Sequence, residues 1–446
     1  MKKVSIVGAG LVGSLLSVYM AKRGYKVNVY ERRPDFRQKA FIGGRSINLA
    51  LSDRGWQALK GVGLDDQMAE IALPMYGRRV HDEAGNVNFQ PYGKEGQAIY
   101  SISRGMLNLK LVNATEPDPN VNYHFNLKCK KVDFEASTLF LEHEENKTIK
   151  EVKSDVIIGA DGAFSAVRWQ MQKSSRFNFS QHYLQYGYKE LEIPANAAGS
   201  HQLVKDALHI WPRKKFMLIA LPNLDGSFTC TLFLAYDGAV SFQNLKTDAQ
   251  INQFFEEHFS DAKALMPNLV KDFNANPTGS LITIKCKPWH NNKTVLMGDA
   301  SHAIVPFYGQ GMNSGFEDCT ILNEIMELHN DNWEEIPTAF SESRKANADA
   351  ISDLAMRNFV EMRDLVANDN FLLRKKIEKE ITIHYPEKYM PLYSMVTFSQ
   401  KPYAEALAEG LKQDALFSNI LQTENIKQMV EEGLAPAQLD KWLGSL

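Results

Sequence analysis

Short β-branched runs and helix-compatible stretches alternate at the start of the chain. Residues 4–7 (VSIV) read as a strand, 11–23 as a helix and 26–30 as a second strand, which predicts a βαβ unit. From 78 to 92 the pattern is that of a hairpin turning around Glu83, Ala84, Gly85 and Asn86, and a helix is expected over 103–113. Strand alternation then dominates, at 130–134, 138–142 and 153–158, before a second glycine-bearing turn and a helix over 163–172. The stretch 183–236 reads as several strands, among them 207–211, 216–221 and 227–235, and 287–297 returns to a strand. After Gly311 the spacing of apolar residues becomes helical, through Met326, over 339–364 and on to the C-terminus. No internal repeat, low-complexity linker or Gly/Pro-rich hinge separates these pieces.

The chain has 446 residues, with 50 Lys and Arg against 53 Asp and Glu, and is 44% hydrophobic. That length suits two or three domains at about 100–200 residues each, and the balance is that of a soluble globular protein. A net charge of −3 leaves no large basic footprint, so nucleic acid is not expected as a partner. Cys129, Cys230, Cys286 and Cys319 are scattered, without metal-ligand or disulfide spacing, so no metal is expected and a reduced, cytoplasmic setting fits. Lys2 and Lys3 precede an uncharged stretch that resembles a secretory signal. Its glycines and the missing A-x-A site argue against one, and no membrane span or tail anchor is expected. The chain is expected as a monomer or homodimer.

Gly8, Gly10 and Gly13, with Leu11 and Val12 among them, follow the first strand and open the first helix, and Glu31 ends the next strand. This is the dinucleotide fingerprint in its confirming context. The first glycine permits the tight turn, the second lets a pyrophosphate approach the backbone, and the third lets the helix close on the strand. The helix N-terminus stabilises the phosphates, and Glu31 accepts from a ribose. Arg32 and Arg33 follow Glu31 and are grouped with the cofactor-binding residues.

Residues 157–168 (IIGADGAFSAVR) and 295–302 (VLMGDASH) resemble two further motifs, those of the flavoprotein aromatic hydroxylases. The resemblance implies FAD as the bound cofactor, with Asp299 on the flavin ribitol and Asp161 and Gly162 near the phosphates. It places Gly311, Met312 and Asn313, at the start of the long helix, against the flavin ring, with Pro306 in the same segment, Arg104 beside the flavin side chain and Ala50 among the cofactor residues. A helix N-terminus suits the negative charge that a reduced flavin carries.

Further stretches, 44–52 (GRSINLALS), 90–93 (QPYG), 208–212 (LHIWP), 219–223 (IALPN), 306–313 (PFYGQGMN) and 393–399 (YSMVTFS), resemble the kynurenine 3-monooxygenase branch and span nearly the whole chain. The resemblance implies hydroxylation of L-kynurenine with NADPH as transient co-substrate and O2. It assigns Arg78, Tyr92 and Asn358 to the substrate carboxylate, with Arg79 a competitor for Arg78. Tyr393 joins the pocket, and Phe233, Phe307, Leu208 and Ile219 form its apolar wall. A guanidinium suits the role because it grips a carboxylate through two parallel hydrogen bonds. Tyr308 stands where that branch commonly has Phe or His.

No side-chain base is expected, because the ring amino group already activates the substrate; His302, one turn after a strand, is expected to be structural. The expected fold is α/β: a Rossmann-like FAD-binding domain (1–75, 100–180, 285–365) interleaved with a β-sheet substrate domain (76–99, 181–284), followed by C-terminal helices (366–446). Two other readings stay open: a related hydroxylase acting on another aminobenzoyl or phenolic acid, and a non-catalytic protein that keeps the fold.

Overall fold

A computed structural model describes residues 1–38, 48–365 and 369–444. Residues 44–47 of the GRSINLALS stretch lie outside the described residues.

The first strand, Lys3–Val7, lies inside a six-stranded sheet between Val156–Gly159 and Lys26–Tyr30, parallel to both. Thr294–Leu296 and Val121–His124 extend the sheet in parallel, and His290–Asn291 adds an antiparallel edge. Val4, Ile6, Val27, Val29 and Ile157 are fully buried, as strands covered on both faces require. The helix Leu11–Lys22 packs on this sheet. Leu127–Asp133, Thr138–His143 and Ile149–Lys153 form a separate antiparallel meander. Asn48–Leu51, Ile99–Ser103 and Ala72–Met75 form another small antiparallel sheet.

The second large sheet has seven strands in the order Thr278–Lys287, Asn178–Ile193, Phe228–Ala235, Met217–Pro222, Leu208–Pro212, Gly77–His81, Val87–Pro91. It therefore draws on two distant parts of the chain, joined where Gly77–His81 pairs in parallel with Leu208–Pro212. Alternation along these strands decides what each face carries. His209 and Trp211 turn to one face, where Trp211 joins the core formed with Asp248–His258 and Leu269–Ala275. Leu208 and Ile210 turn to the other, toward the C-terminal helices. Those helices are Ile336–Val360, Asp369–His384, Leu392–Thr397, Tyr403–Ile420, Ile426–Glu432 and Pro436–Leu443, with a core of their own around Ile377, Phe417 and Trp442.

Several expected elements differ. The run 153–158 is two strands in two sheets, broken at Ser154 and Asp155, because Asp155 turns back to accept from the Lys3 backbone N–H at 2.7 Å. The helix expected over 163–172 is only Ala166–Met171, since Ser165 caps it by accepting from Arg168 N. The strand expected over 287–297 is instead the end of Thr278–Lys287, then Pro288, then the short pieces His290–Asn291 and Thr294–Leu296; Pro288 has no N–H to continue a ladder. The long helix stops at Val360 and gives way to a π turn, Glu361–Leu365.

Candidate active site

The cofactor side is shaped by missing side chains. Gly8 takes φ +106°, and a Cβ there would lie 2.5 Å from Ala160 O. A Cβ on Gly13 would lie 2.0 Å from Gly8 O, so only glycine lets the helix close on the loop. Gly10 and Gly162 instead face open space, with nothing within 4 Å of a Cβ. The Leu11–Lys22 helix begins at Gly10 with no capping side chain and no acid in its first turn, which leaves its N-terminal N–H groups and dipole free for an anion. Glu31 is 5% exposed and accepts from Ala9 N, Arg33 N and Arg33 Nε at 2.9–3.0 Å. Burial alone would raise its carboxyl; the bonds from Arg33 and Ala9 outweigh that and hold it below its ordinary value. Arg32 points to solvent.

The glycine-acid motifs meet this loop. A Cβ on Gly298 would lie 2.9 Å from Val12 Cγ2, and one on Gly315 would lie 2.6 Å from the same atom. Asp299 is exposed at the start of its own turn, free to accept from a polyol. Asp161 differs from the expectation: its carboxylate bonds Ser165 Oγ, Ala166 N at 2.6 Å and Val167 N at 3.2 Å, so it holds its own helix start. The partner left facing the open side is Gly162. Arg104 is exposed at the start of Arg104–Asn113, a helix tied to the fingerprint by Asn108 Nδ2 donating to Ala9 O at 3.0 Å.

The helix Gly311–Leu328 likewise opens with no capping side chain and no acid in its first turn. Asn313 is fully buried, and its side chain is taken up in fastening that start: Oδ1 accepts from Ser52 N at 2.9 Å, and Nδ2 donates to Ala50 O and Gly309 O at 2.8 Å. What Gly311, Met312 and Asn313 offer a flavin is therefore backbone. Pro306 is exposed just upstream. The open glycines, the two uncapped helix starts and the free Asp299 together fit an FAD.

Behind the cradle runs a buried ionic chain that the residue pattern did not signal. Asp318, fully buried, accepts from Gly298 N at 3.0 Å and contacts His302 Nε2 at 2.6 Å and Arg344 Nε at 2.8 Å. Arg344 also pairs with Glu317, and Glu317 with Arg54. Arg54 Nε donates to Val396 O in the C-terminal helices, and its guanidinium lies 3.9 Å over the Tyr403 ring. His302 stacks on Trp289 and is a structural residue in this arrangement.

The substrate-side candidates converge across the Pro306–Tyr308 turn. Arg78, with 11% of its side chain exposed, places its Cζ 5.6 Å from the Tyr92 ring centre and 5.7 Å from that of Tyr393. Tyr92 and Tyr308 stack on Tyr393 at 5.2 and 5.5 Å. Arg79 turns the other way, over Phe89 at 5.7 Å. Burial alone would lower the Arg78 guanidinium, but the neighbouring tyrosines and Glu361 raise it above its ordinary value, so it stays charged. Phe307 packs on Phe233 at 4.9 Å and on Phe359 at 4.1 Å, while Leu208 and Ile219 cluster with Tyr92, Tyr393 and Ala50.

Asn358 arrives with its polarity reversed. Its Nδ2 donates to Phe307 O at 2.6 Å and approaches Met362 Sδ at 3.3 Å, so the side it leaves for a ligand is the oxygen, an acceptor that suits an ammonium and not a carboxylate. Glu361 was missed. It lies at the first position of the π turn, with Oε1 3.9 Å from Arg78 Nη1. A carboxylate at a helix end reads as solvated surface, and the only available signal was its place three residues after Asn358.

A family model described as an FAD binding domain matches residues 1–355. Kynurenine 3-monooxygenase of Flavobacterium johnsoniae is 51% identical over 428 residues, covering 96% of this chain and 95% of that protein. The enzymes of that name from Myxococcus xanthus and Dictyostelium discoideum are 48% and 44% identical, over 94% of this chain and 90% and 93% of theirs. The chain belongs to the kynurenine 3-monooxygenase family. It is an FAD-dependent monooxygenase by that membership. Among solved structures, 2-methyl-3-hydroxypyridine-5-carboxylic acid oxygenase superposes with a TM-score of 0.69 at 18% identity, covering 83% of this chain and 94% of that one. A tetracycline destructase superposes at 0.59 and 19% identity, covering 88% and 99%. Both are likenesses of fold. Among the described residues no helix is long and apolar enough to cross a membrane, and no group of His, Cys, Asp and Glu could hold a metal ion.

Proposed function

We propose that the protein converts L-kynurenine, NADPH, O2 and a proton to 3-hydroxy-L-kynurenine, NADP+ and water. The observation that carries this is the half-closed Arg78–Glu361 pair, enclosed by Tyr92, Tyr393 and Tyr308, of which Tyr308 lies three residues before the uncapped helix start at Gly311. An opposite pair of charges set among aromatic rings is what an aromatic amino acid needs. Arg78 takes the carboxylate through its fork, and Glu361 with the Asn358 oxygen takes the ammonium. Phe233, Phe307, Leu208 and Ile219 hold the ring and keep water out.

A bound FAD, reduced by NADPH, would supply the electrons that activate O2 for transfer of one oxygen atom. Gly8, Gly10, Leu11, Val12 and Gly13 receive its pyrophosphate and Glu31 its ribose, with Arg32, Arg33 and Arg104 at the rim and Asp299 on the ribitol. The backbone of Gly311, Met312 and Asn313, with Pro306 and Ala50 beside it, faces the ring. The reaction needs no side-chain base, because the amino group of the substrate enriches the ring. The phenols suit a donor role: burial pushes Tyr92 and Tyr308 well above the ordinary phenol value and Tyr393 up to about 12, so all three keep their protons. We place the segments 1–75, 100–180 and 285–365 with the FAD-binding part, 76–99 and 181–284 with the substrate part and 366–446 as a helical cover. Four buried free cysteines are in keeping with a cytoplasmic enzyme.

The test is NADPH oxidation by the purified holoenzyme with and without L-kynurenine, with product identification. Strong acceleration and 3-hydroxykynurenine are expected; acceleration by a different aminobenzoyl acid alone would reassign the substrate.

A further inference from the structure

We propose that Tyr308 is a specificity residue whose hydroxyl donates to the substrate carboxylate, in the place where Asn358 cannot. The inference rests on the functional reading above. A carboxylate offers about four lone-pair sites, and the Arg78 fork fills two. Asn358 is not placed to fill a third, since its two N–H groups are directed at Phe307 O at 2.6 Å and Met362 Sδ at 3.3 Å and only its oxygen is left.

Tyr308 meets the need. Its residue is 8% exposed, and its ring is fixed within 15° of parallel to Tyr393, the ring over which Arg78 also lies. Among the described residues none hydrogen-bonds its hydroxyl, and the oxygen is not one of the fully buried unpartnered atoms, so it is open to a ligand. The hydroxyl lies in the field of Tyr393, Glu361, Arg357 and Arg78, and of these Arg357 is already paired with Asp414 at 2.6 Å. The Tyr393 ring joins Tyr308 to the Arg78–Glu361 pair, since Tyr308 stacks on it and Arg78 lies 5.7 Å from its centre and 3.9 Å from Glu361, and the amino-acid head belongs at that pair. The turn Pro306–Tyr308 fixes this geometry, because Gly309 follows in the left-handed region at φ +68° and hands the chain to the helix at Gly311. A substrate head bound by Tyr308 is thereby held at a set distance from the flavin-facing helix start.

The experiment compares Tyr308→Phe with wild-type holoenzyme in binding three probes, read by perturbation of the flavin spectrum without NADPH. The probes are L-kynurenine, its decarboxylated analogue kynuramine, and the analogue lacking only the α-amino group, 4-(2-aminophenyl)-4-oxobutanoate. A hydrogen bond to a charged group predicts that Tyr308→Phe weakens the two carboxylates about tenfold and kynuramine less than about twofold. The ring stack survives in Phe, so FAD content and melting temperature should stay at the wild-type value. Equal weakening of all three probes, or of none, overturns the role of Tyr308 while leaving the functional reading in place. Failure of wild-type holoenzyme to bind L-kynurenine overturns the functional reading and this role with it.

Discussion

The cofactor cradle and the substrate pocket adjoin at the Pro306–Tyr308 turn and are made by opposite means. The cradle is mainly backbone, with Glu31 and Asp299 as its acids: glycines where a Cβ would collide, glycines where a Cβ would fill open space, and two helix starts without caps. The pocket is side chain: one guanidinium, one carboxylate, one amide and two aromatic clusters, brought together from the Gly77–His81, Leu208–Pro212 and Phe228–Ala235 strands, the π turn and the C-terminal helices. A backbone site is built from short motifs, each of which is marked locally even where the fold gathers them from distant parts of the chain. A side-chain site depends on the whole fold.

The sharpest way to break this contrast is at two glycines of one motif. Gly13→Val adds atoms where even a Cβ lies 2.0 Å from Gly8 O, so it should displace the helix from the loop and lose FAD by more than about 100-fold, with a lowered melting temperature. Gly10→Ala meets nothing within 4 Å and keeps an ordinary backbone at φ −77°. The apoprotein should melt as wild type does, while FAD affinity falls about 30-fold because the methyl takes phosphate space. Flavin absorbance per protein and melting of the apo form separate the two. If Gly10→Ala binds FAD normally, the open face of the loop is not the phosphate site.

Next in size is the pair of adjacent arginines. Removing one partner of a desolvated charge contact costs about 2–5 kcal/mol, so Arg78→Ala should raise KM for L-kynurenine by about 100-fold or more, with the flavin still bound. Arg79→Ala, on the opposite face over Phe89, should change KM by less than about threefold. Equal effects would mean that the alternation of this strand does not divide the two roles.

These contrasts also explain what could be read along the chain. The start of the parallel sheet was legible because Lys3–Val7 and Lys26–Tyr30 are short, rich in β-branched residues and flank the glycine motif, all local signals, whereas Val121–His124, with alternate polar residues, was not read as a strand. The strand Asn178–Ile193 was seen only in part, because its first residues are exposed on both sides and show no alternation. The capping box at Thr247 and Gln250 announced the helix Asp248–His258, yet the β-rich surroundings masked it. In the site, the glycines and Asp299 were marked by motif, whereas Arg78 and Tyr92 drew their roles only from resemblance. Nothing local showed that Asp161 would turn to its own helix or that the Asn358 nitrogen would be held by Phe307. Both depend on which carbonyl or N–H the fold places nearby. Glu361 was hidden for the same reason, since its meaning comes from Arg78, far away in sequence.

The smallest expected effect tests whether the pocket side also carries a pH dependence of its own. Behind the Arg78 strand, His81 Nε2 lies 2.9 Å from His209 Nδ1, His81 Nδ1 lies 2.9 Å from Asp261 Oδ2, and Trp211 Nε1 donates to the same carboxylate at 2.8 Å. His209 Nε2 faces Val204 O at 2.9 Å, so that nitrogen carries the hydrogen and Nδ1 accepts from His81. Burial lowers His209 to about 4, from an ordinary 6.5. Burial alone would raise Asp261, but the bonds from His81 and Trp211 prevail and hold it at about 2. In both cases the unfolded chain binds the proton first. The His209 contribution is therefore complete above pH 6.5 and lost as pH falls toward 4, and that of Asp261 is lost below 3.8 toward 2. Melting of the holoenzyme should weaken by about 2 kcal/mol between pH 6.5 and 4, within the limit of about 1.4 kcal/mol per pH unit that one proton allows. His209→Gln should flatten that slope while leaving FAD affinity unchanged at pH 7.5, because the cradle is backbone and lies in the other sheet. A slope that survives in His209→Gln would locate the acid sensitivity elsewhere, and a loss of FAD affinity would show that the two regions are less separable than their construction implies.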